Sequence, residues 1–277
     1  MQKTILVTKA DGTTQPFSRE KLIRSLRNAG ASEELAENVT ERVENIMVPG
    51  ATTKDIYRHA FKFLKESPAK TSARYSLRKA VTALGPTGFP FEMLLGEVLR
   101  HDGFETSLDS IIQGRCITHE VDVLAWNKEK VIVIEAKFHN EHGIRTDIKD
   151  TLYVKARFDD LEEAPISIQG EDRQVNEGWL VTNTKFSSMS IEYAMCQHMH
   201  LIGWNYPHQG NLQQRIEEHG LHPITVLSSL THSQIRELLD RGAVLCRHLR
   251  ENRDIMMQIG MSASDIEHVI NEINEIC

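Results

Sequence analysis

The sequence has no apolar run approaching the roughly 20 residues that a membrane-spanning helix needs. Its opening Met1-Gln2-Lys3-Thr4 does not lead into the apolar core of a signal peptide. These two absences set the expectation of a cytoplasmic protein with no membrane partner. Cysteine is scarce as well. Cys116, Cys196, Cys246 and Cys277 are scattered, with no Cys-x-x-Cys pair, which argues against a disulfide framework or a thiolate zinc site and leaves reduced thiols. Cys196-Gln197-His198-Met199-His200 offers a thiol and two imidazoles, but the spacing is poor for zinc. Residues 187–199 read instead as a helix feeding the strand 201–204. Positive charge is in deficit too: the formal net charge is −7, so bulk electrostatics do not favour a polyphosphate partner, and any such contact has to be local. No Gly-x-x-x-x-Gly-Lys-Ser/Thr occurs, so a P-loop ATPase is not supported. Internal repeats and low-complexity segments are also missing.

What is present is enough for two cores. A chain of 277 residues with 40% hydrophobic content exceeds one typical domain. Its most telling stretch is the pair of β-branched runs 119–126 and 131–137, joined by Asn127-Lys128-Glu129-Lys130, which predicts a hairpin of mostly buried strands. Three charges interrupt those runs: Asp122, Glu135 and Lys137. Side chains alternate along a strand, so Glu135 and Lys137 emerge on one face, and pairing brings Asp122 to it. Two carboxylates and an ammonium at one spot can hold a divalent cation on oxygen ligands beside a proton donor or charge stabiliser. That is chemistry suited to phosphodiesters.

In type and spacing these residues resemble the PD-(D/E)xK nuclease superfamily, in particular its Mrr-like restriction-endonuclease branch. There an Asp interrupts one strand and Glu-x-Lys sits in the next, here Asp122 and Glu135-Ala136-Lys137. The branch also places a Glu on the preceding helix, matched by Glu92 within 89–100, and a later strand followed by a helix, matched by 178–187. The likeness spans 86–227. One departure is that Tyr153, Lys155 and Arg157 stand where many relatives carry a Gln. The resemblance implies a magnesium- or manganese-dependent endonuclease acting on DNA. Asp122, Glu135 and the Ala136 carbonyl would bind the metal, Lys137 would orient or activate the attacking water, and Glu92 would complete the site. Arg145, Lys149, Lys155 and Arg157 form a candidate basic patch, interleaved with Asp147, Asp150, Asp159 and Asp160.

Residues 1–85 have a separate character. The run 4–9 reads as a strand, Asp11-Gly12 as a tight turn and Gln15-Pro16-Phe17 as the return, after which Ser18 caps a helix through Asn28. Three more helices follow: one from Ser32 to near Met47, one over 54–65 capped by Thr53, and one over 73–84. The Gly/Pro-rich segment 85–90 then breaks the pattern as a linker should. The arrangement is similar to the ATP-cone, a regulatory domain of ribonucleotide reductases and of the repressor of their genes. The likeness rests on Val7-x-Lys9-x-Asp11-Gly12, Phe17, Lys21, Thr53-x-Asp55-Ile56 and Tyr75, with Ala10 replacing the usual Arg. It implies a non-hydrolytic site for ATP or dATP, with Val7 and Lys9 at the hairpin lid, Lys21 toward phosphate, and Thr53 and Tyr57 along the pocket.

From 231 onward the chain reads as polar and helical, with Ile266, Val269, Ile270, Ile273 and Ile276 on one stripe of the last helix. The expectation as a whole is an α/β (α+β) protein in three parts: 1–85 a nucleotide-binding hairpin and four-helix unit, 86–227 a mixed-sheet nuclease-like unit, and 228–277 a helical extension. One site cuts one strand, so a homo-oligomer, dimer or higher, is expected. The rival expectations are a nucleotide-responsive DNA-binding regulator and an oligomeric scaffold, each without catalysis.

Overall fold

The structure is a computed structural model that describes residues 5–9, 12–64, 66, 69–141 and 143–277. Thr4, Ala10, Asp11 and Lys65, which enter the sequence reading, lie outside the described residues. The fold is the expected mixture of α and β, opening on a hairpin of β1 (Leu6–Thr8) and β2 (Thr14–Pro16). Helices α1 (Arg19–Asn28), α2 (Glu33–Ile46), α3 (Thr53–Leu64) and α4 (Ala69–Thr82) follow. Ser18 and Ser32 cap α1 and α2, each accepting a backbone N–H three residues on. At α3 the cap is Thr52 rather than the expected Thr53. Thr52 Oγ1 accepts from Asp55 N, and the Asp55 carboxylate returns bonds to Thr52 N and Oγ1, a reciprocal arrangement that favours the earlier residue.

Helix α5 (Phe89–His101) leads into a meander of β3 (Glu105–Gln113), β4 (Thr118–Trp126) and β5 (Val131–Lys137). Next come β6 (Arg145–Thr146), α6 (Ile148–Glu162), the hairpin β7 (Ile166–Ile168) and β8 (Glu171–Arg173), and β9 (Glu177–Thr182). β10 (Lys185–Phe186), α7 (Ser188–Cys196) and β11 (His200–Ile202) complete this part. The central sheet has the order β11-β9-β5-β4-β3, antiparallel across the meander and parallel where β9 joins β5 and β11 joins β9. α5 covers one face, where Phe91, Leu94 and Leu95 meet Val123, Ala125, Ile132 and Ile134. α6 lies on the opposite face, with Leu161 against Leu124, Val131 and Val133.

After α8 (Leu212–Glu218) and a 3-10 turn at Ile224–Val226, the chain ends in α9 (His232–Asp240), α10 (Cys246–Glu251), α11 (Asp254–Gln258) and α12 (Ala263–Ile276). The isoleucine stripe of α12 is buried against α9–α11 and against Ala73 of α4. α4 is therefore shared. Its Leu77 and Val81, with Leu84 just beyond, belong to the core under α5, and Ala80 O accepts from Thr225 Oγ1 at 2.6 Å. The segment after it is also packed, since a Cβ on Gly85 would fall 2.4 Å from the Phe138 ring.

Gly178 sets the contact between β9 and α6. A Cβ there would lie 2.6 Å from Phe158 Cγ and 2.9 Å from its Cβ, at the stiff base of that side chain. Gly178→Ala is expected to destabilise the protein by about 1–3 kcal/mol, as overpacking does. Urea denaturation measures it, and an unchanged midpoint would mean that β9 and α6 are less closely packed.

Candidate functional site

β4 and β5 pair as far as Val123 opposite Ile134 and then part. Beyond that point the Ala136 N–H donates to Asp122 Oδ2 at 2.7 Å, so a carboxylate satisfies a backbone donor at the place where the strands diverge. The alternation of β4 also breaks here. Val123 packs into the core under α5, while Val121, which a regular pleat would put on the same side, packs into the core under α6. On β3 the position opposite Asp122 is Asp109, whose φ of 46° lies in the left-handed region that Asp tolerates better than most residues. The ladder pairs Leu108 with Val123 and Ser110 with Val121, and the Asp109–Asp122 step between them is open. The irregularity turns both carboxylates away from the positions a plain hairpin would give them.

Glu92, in the first turn of α5, meets this pair. Burial, the charges of Asp122 and Asp109, a hydrogen bond to Asp109 and the charge of Glu135 push its carboxyl up to about 8, so at neutral pH it carries a proton that it donates to Asp109. Burial also raises Asp122, offset by the Ala136 N–H and Arg157. Glu135 is raised by burial and by Asp122, offset by Arg157 and Lys137. Four carboxyl groups thus crowd the place where β4 and β5 part, with too little positive charge to keep them all ionised.

The positive charge that is present has fixed partners. Arg157 of α6 donates to Glu135 Oε2 at 2.5 Å, to Glu120 O at 2.8 Å and to Tyr153 Oη at 2.8 Å. Lys137 Nζ lies 3.0 Å from Asp150 Oδ1, and that bond holds its pKa up, keeping it an ammonium. Of the other basic residues expected to form a patch, Lys155 pairs with Asp159, while Arg145 and Lys149 are exposed. Among the described residues no group of three or more His, Cys, Asp or Glu side chains is gathered to hold a metal ion as placed, and Glu135 is turned onto Arg157.

A second site lies among α1, α3 and α4. A cavity of about 780 Å³ is lined by Lys9, Lys54, Arg58, Arg74, Arg78 and Lys79 and, among the described residues, by no carboxylate side chain. Tyr57 stacks on Tyr75 at 5.1 Å and on Phe61 at 6.1 Å along its wall. Three lining atoms, Tyr57 Oη, Arg74 Nε and Arg78 Nε, are buried with no hydrogen-bond partner among the described residues. Burial lowers the pKa of Arg78. Burying a guanidinium is costly unless it is paired, so this lining favours an anion, and its stacked rings favour an aromatic one.

Of the residues expected to bind nucleotide, Lys9, Thr53 and Tyr57 line the cavity. Val7 is buried in the hairpin and Lys21 is exposed on α1, neither of them in the lining. Glu92, Asp122, Glu135 and Lys137 come together where β4 and β5 part. Sequence reasoning missed Asp109, which only the β3–β4 register places opposite Asp122. It also missed Arg74 and Arg78, whose signal was their four-residue spacing on one face of a helix.

Comparison with known proteins bears on both sites. The ATP cone domain family matches residues 5–81, and the family described as AF1548-like, C-terminal, matches residues 222–277. An uncharacterised protein of Archaeoglobus fulgidus is 34% identical over 183 residues, 66% of this chain and 99% of the relative. The crystal structure of a protein of unknown function, AF1548, is 33% identical with a TM-score of 0.56, covering 69% of this chain and 98% of that one. The MspJI restriction endonuclease in complex with a 27-mer oligonucleotide matches at 14% identity and a TM-score of 0.31, covering 73% of this chain and 49% of that one, too distant to carry an argument.

The raised carboxyl of Glu92 fixes the sign of a pH effect. Its folded value of about 8 stands above the ordinary 4.5, so the native state holds a proton that the unfolded chain releases between those values. The stability this gives is complete below pH 4.5 and is lost as pH rises through 8. Metal-free protein should therefore melt at lower temperature as pH rises across that window, and Glu92→Gln should flatten the slope. Thermal melts of both proteins test this, and equal slopes would contradict the placement of Glu92.

Proposed function

The chain belongs to the AF1548-like family and contains an ATP cone, and from that premise we propose that it is a metal-dependent endodeoxyribonuclease whose hydrolysis of DNA phosphodiesters is regulated by ATP or dATP. The observation that carries the reading is the convergence of Glu92, Asp122, Glu135 and Lys137 where β4 and β5 part. This is the residue set by which the sequence resembles the PD-(D/E)xK nucleases. Cone membership supports nucleotide binding directly.

The donor chemistry fits a divalent cation. Asp122 and Glu135 are both pushed toward protonation by burial and by neighbouring carboxylates, a strain that a cation between them relieves. In this proposal they hold Mg2+ or Mn2+ with the Ala136 carbonyl, once Glu135 leaves Arg157. The metal, when bound, supplies Lewis-acid stabilisation of the phosphoryl oxygens. Lys137, kept charged by Asp150, orients the attacking water or the phosphate as a donor rather than removing a proton. Glu92 holds a proton near neutrality and shares it with Asp109, so this pair can move a proton at the reaction centre. Water adds to phosphorus and the phosphorus–oxygen bond to one sugar breaks. Cutting both strands of a duplex then requires a second copy or successive nicks.

Two predictions follow from the separate sites. Asp122→Asn, Glu135→Gln and Lys137→Ala should each lower magnesium-dependent plasmid nicking by about a hundredfold or more, the scale of losing one pre-placed charge. Circular dichroism should show the variants folded. Wild-type nicking by all three would overturn the assignment, and leave the scaffold or regulator reading. For the cone, calorimetry should detect ATP, with Arg78→Ala weakening it by about tenfold or more, as loss of a charged hydrogen-bond donor does. Lys21→Ala, outside the lining, should change affinity less. An unaltered affinity in Arg78→Ala would place the nucleotide elsewhere.

A further inference from the structure

The cone family match ends at residue 81, yet the cavity in it is not closed by the cone alone. Trp204 and Gln213, from the far edge of the sheet and the first helix beyond it, line it together with Lys9, Tyr57, Arg74 and Arg78. Trp204 is at the same time a core residue. It packs with Ile202, Leu212 and Ile216, and it is 6% exposed. The two residues are tied to each other, since Gln213 N–H donates to Trp204 O at 3.3 Å. The Gln213 side-chain amide donates to Glu217 Oε1 at 2.8 Å.

Trp204 is also tied to the strand that carries the carboxylates. Its N–H donates to Thr184 O at 2.9 Å. Thr184 Oγ1 meets Thr182 Oγ1 at 3.1 Å, Thr146 Oγ1 donates to Thr182 Oγ1 at 3.1 Å, and the His139 ring reaches Thr146 at 3.3 Å. Thr182 stands in register with Lys137, and Asn183 holds the backbone of His139 at both its N–H (2.9 Å) and its carbonyl (2.8 Å). Thr146, Thr182, Asn183 and Thr184 are all buried. The contacts form one hydrogen-bonded run from the cavity wall to the end of β5.

We infer that Trp204 and Gln213 are part of the nucleotide site, so that a nucleoside triphosphate in the cone touches the sheet body of the same chain and bridges the two. The inference rests on reading the cavity as the nucleotide site. It assigns the coupling to contacts within one chain. A ligand can shift the sheet only by its differential contact with it, and these two residues are where that contact is made.

The test uses the full chain with ATP as the probe, followed by calorimetry, tryptophan emission and hydrogen exchange. ATP should change the emission of the wild type. Trp204→Phe should lose that change while still giving ATP heat, because Trp126 and Trp179 lie away from the cavity lining. Gln213→Ala should weaken ATP about fivefold, the worth of one hydrogen bond. ATP should also slow amide exchange at 182–184 in the wild type but less in Gln213→Ala. If Trp204→Phe fails to fold, the affinity and exchange of Gln213→Ala decide alone. ATP heat with wild-type affinity in Gln213→Ala, and no change in exchange at 182–184, would overturn the inference and leave the cone reading standing. Absence of ATP heat in the wild type would overturn both.

Discussion

Helix α4 is the constraint on which the two halves of the molecule depend, because a single rigid element has opposite sides committed to different environments. Toward the cavity it presents Arg74 and Arg78, whose Nε atoms have no partner among the described residues, and Tyr75, stacked on Tyr57. On its other sides it presents Leu77 and Val81 to the core beneath the sheet and Ala73 to the C-terminal helices. Packed interiors have the density of organic crystals and do not deform continuously. An anion that neutralises Arg78 and shifts α4 therefore acts on a helix that is already part of the sheet's core. The short segment after it adds no slack, since Gly85 lies against the ring of Phe138, the residue that follows Lys137.

The second site is organised by a local failure of regular structure. A regular antiparallel ladder would have paired Asp109 with Asp122 and kept Val121 and Val123 on one side. The open step, the left-handed Asp109 and the change of side at Asp122 turn these two carboxylates out of the plain ladder, where Glu92 meets them. Such irregularity is costly and persists where the surrounding structure fixes it. Here the fixing comes from the Ala136 N–H on Asp122, Arg157 on Glu135 and Asp150 on Lys137. Each proposed catalytic side chain on the sheet thus has one partner that sets its position, and the excess of carboxyl groups leaves room for a cation.

Much of this was legible in the sequence, for physical reasons. Glu135 and Lys137 could be placed on one face because the strand period is two, and the hairpin joining them to Asp122 followed from two β-branched runs around a polar turn. Ser18 and Ser32 cap the helices expected after them, because a hydroxyl accepting an N–H is a local event. Thr52 displaced Thr53 because only the former has Asp55 three residues on to reciprocate. What stayed hidden is tertiary. Asp109 is visible only through register, Arg157 only through the packing of α6 on β5, and Trp204 and Gln213 only through the approach of a distant edge strand to α4. Val7 and Lys21 were named on likeness to the cone rather than on geometry, and the cavity lining includes neither.

The account makes one molecule of a nucleotide sensor and a cation-dependent cutting site, coupled through α4 and the wall it shares with the sheet. The most direct measurement is the initial rate of supercoiled plasmid nicking by the full chain in magnesium as ATP is raised from zero to saturation. The account predicts a several-fold or larger change in rate that tracks occupancy of the cone, in line with coupling free energies of about 1–3 kcal/mol. Nicking at one rate across the whole titration, with ATP shown to be bound, would contradict it.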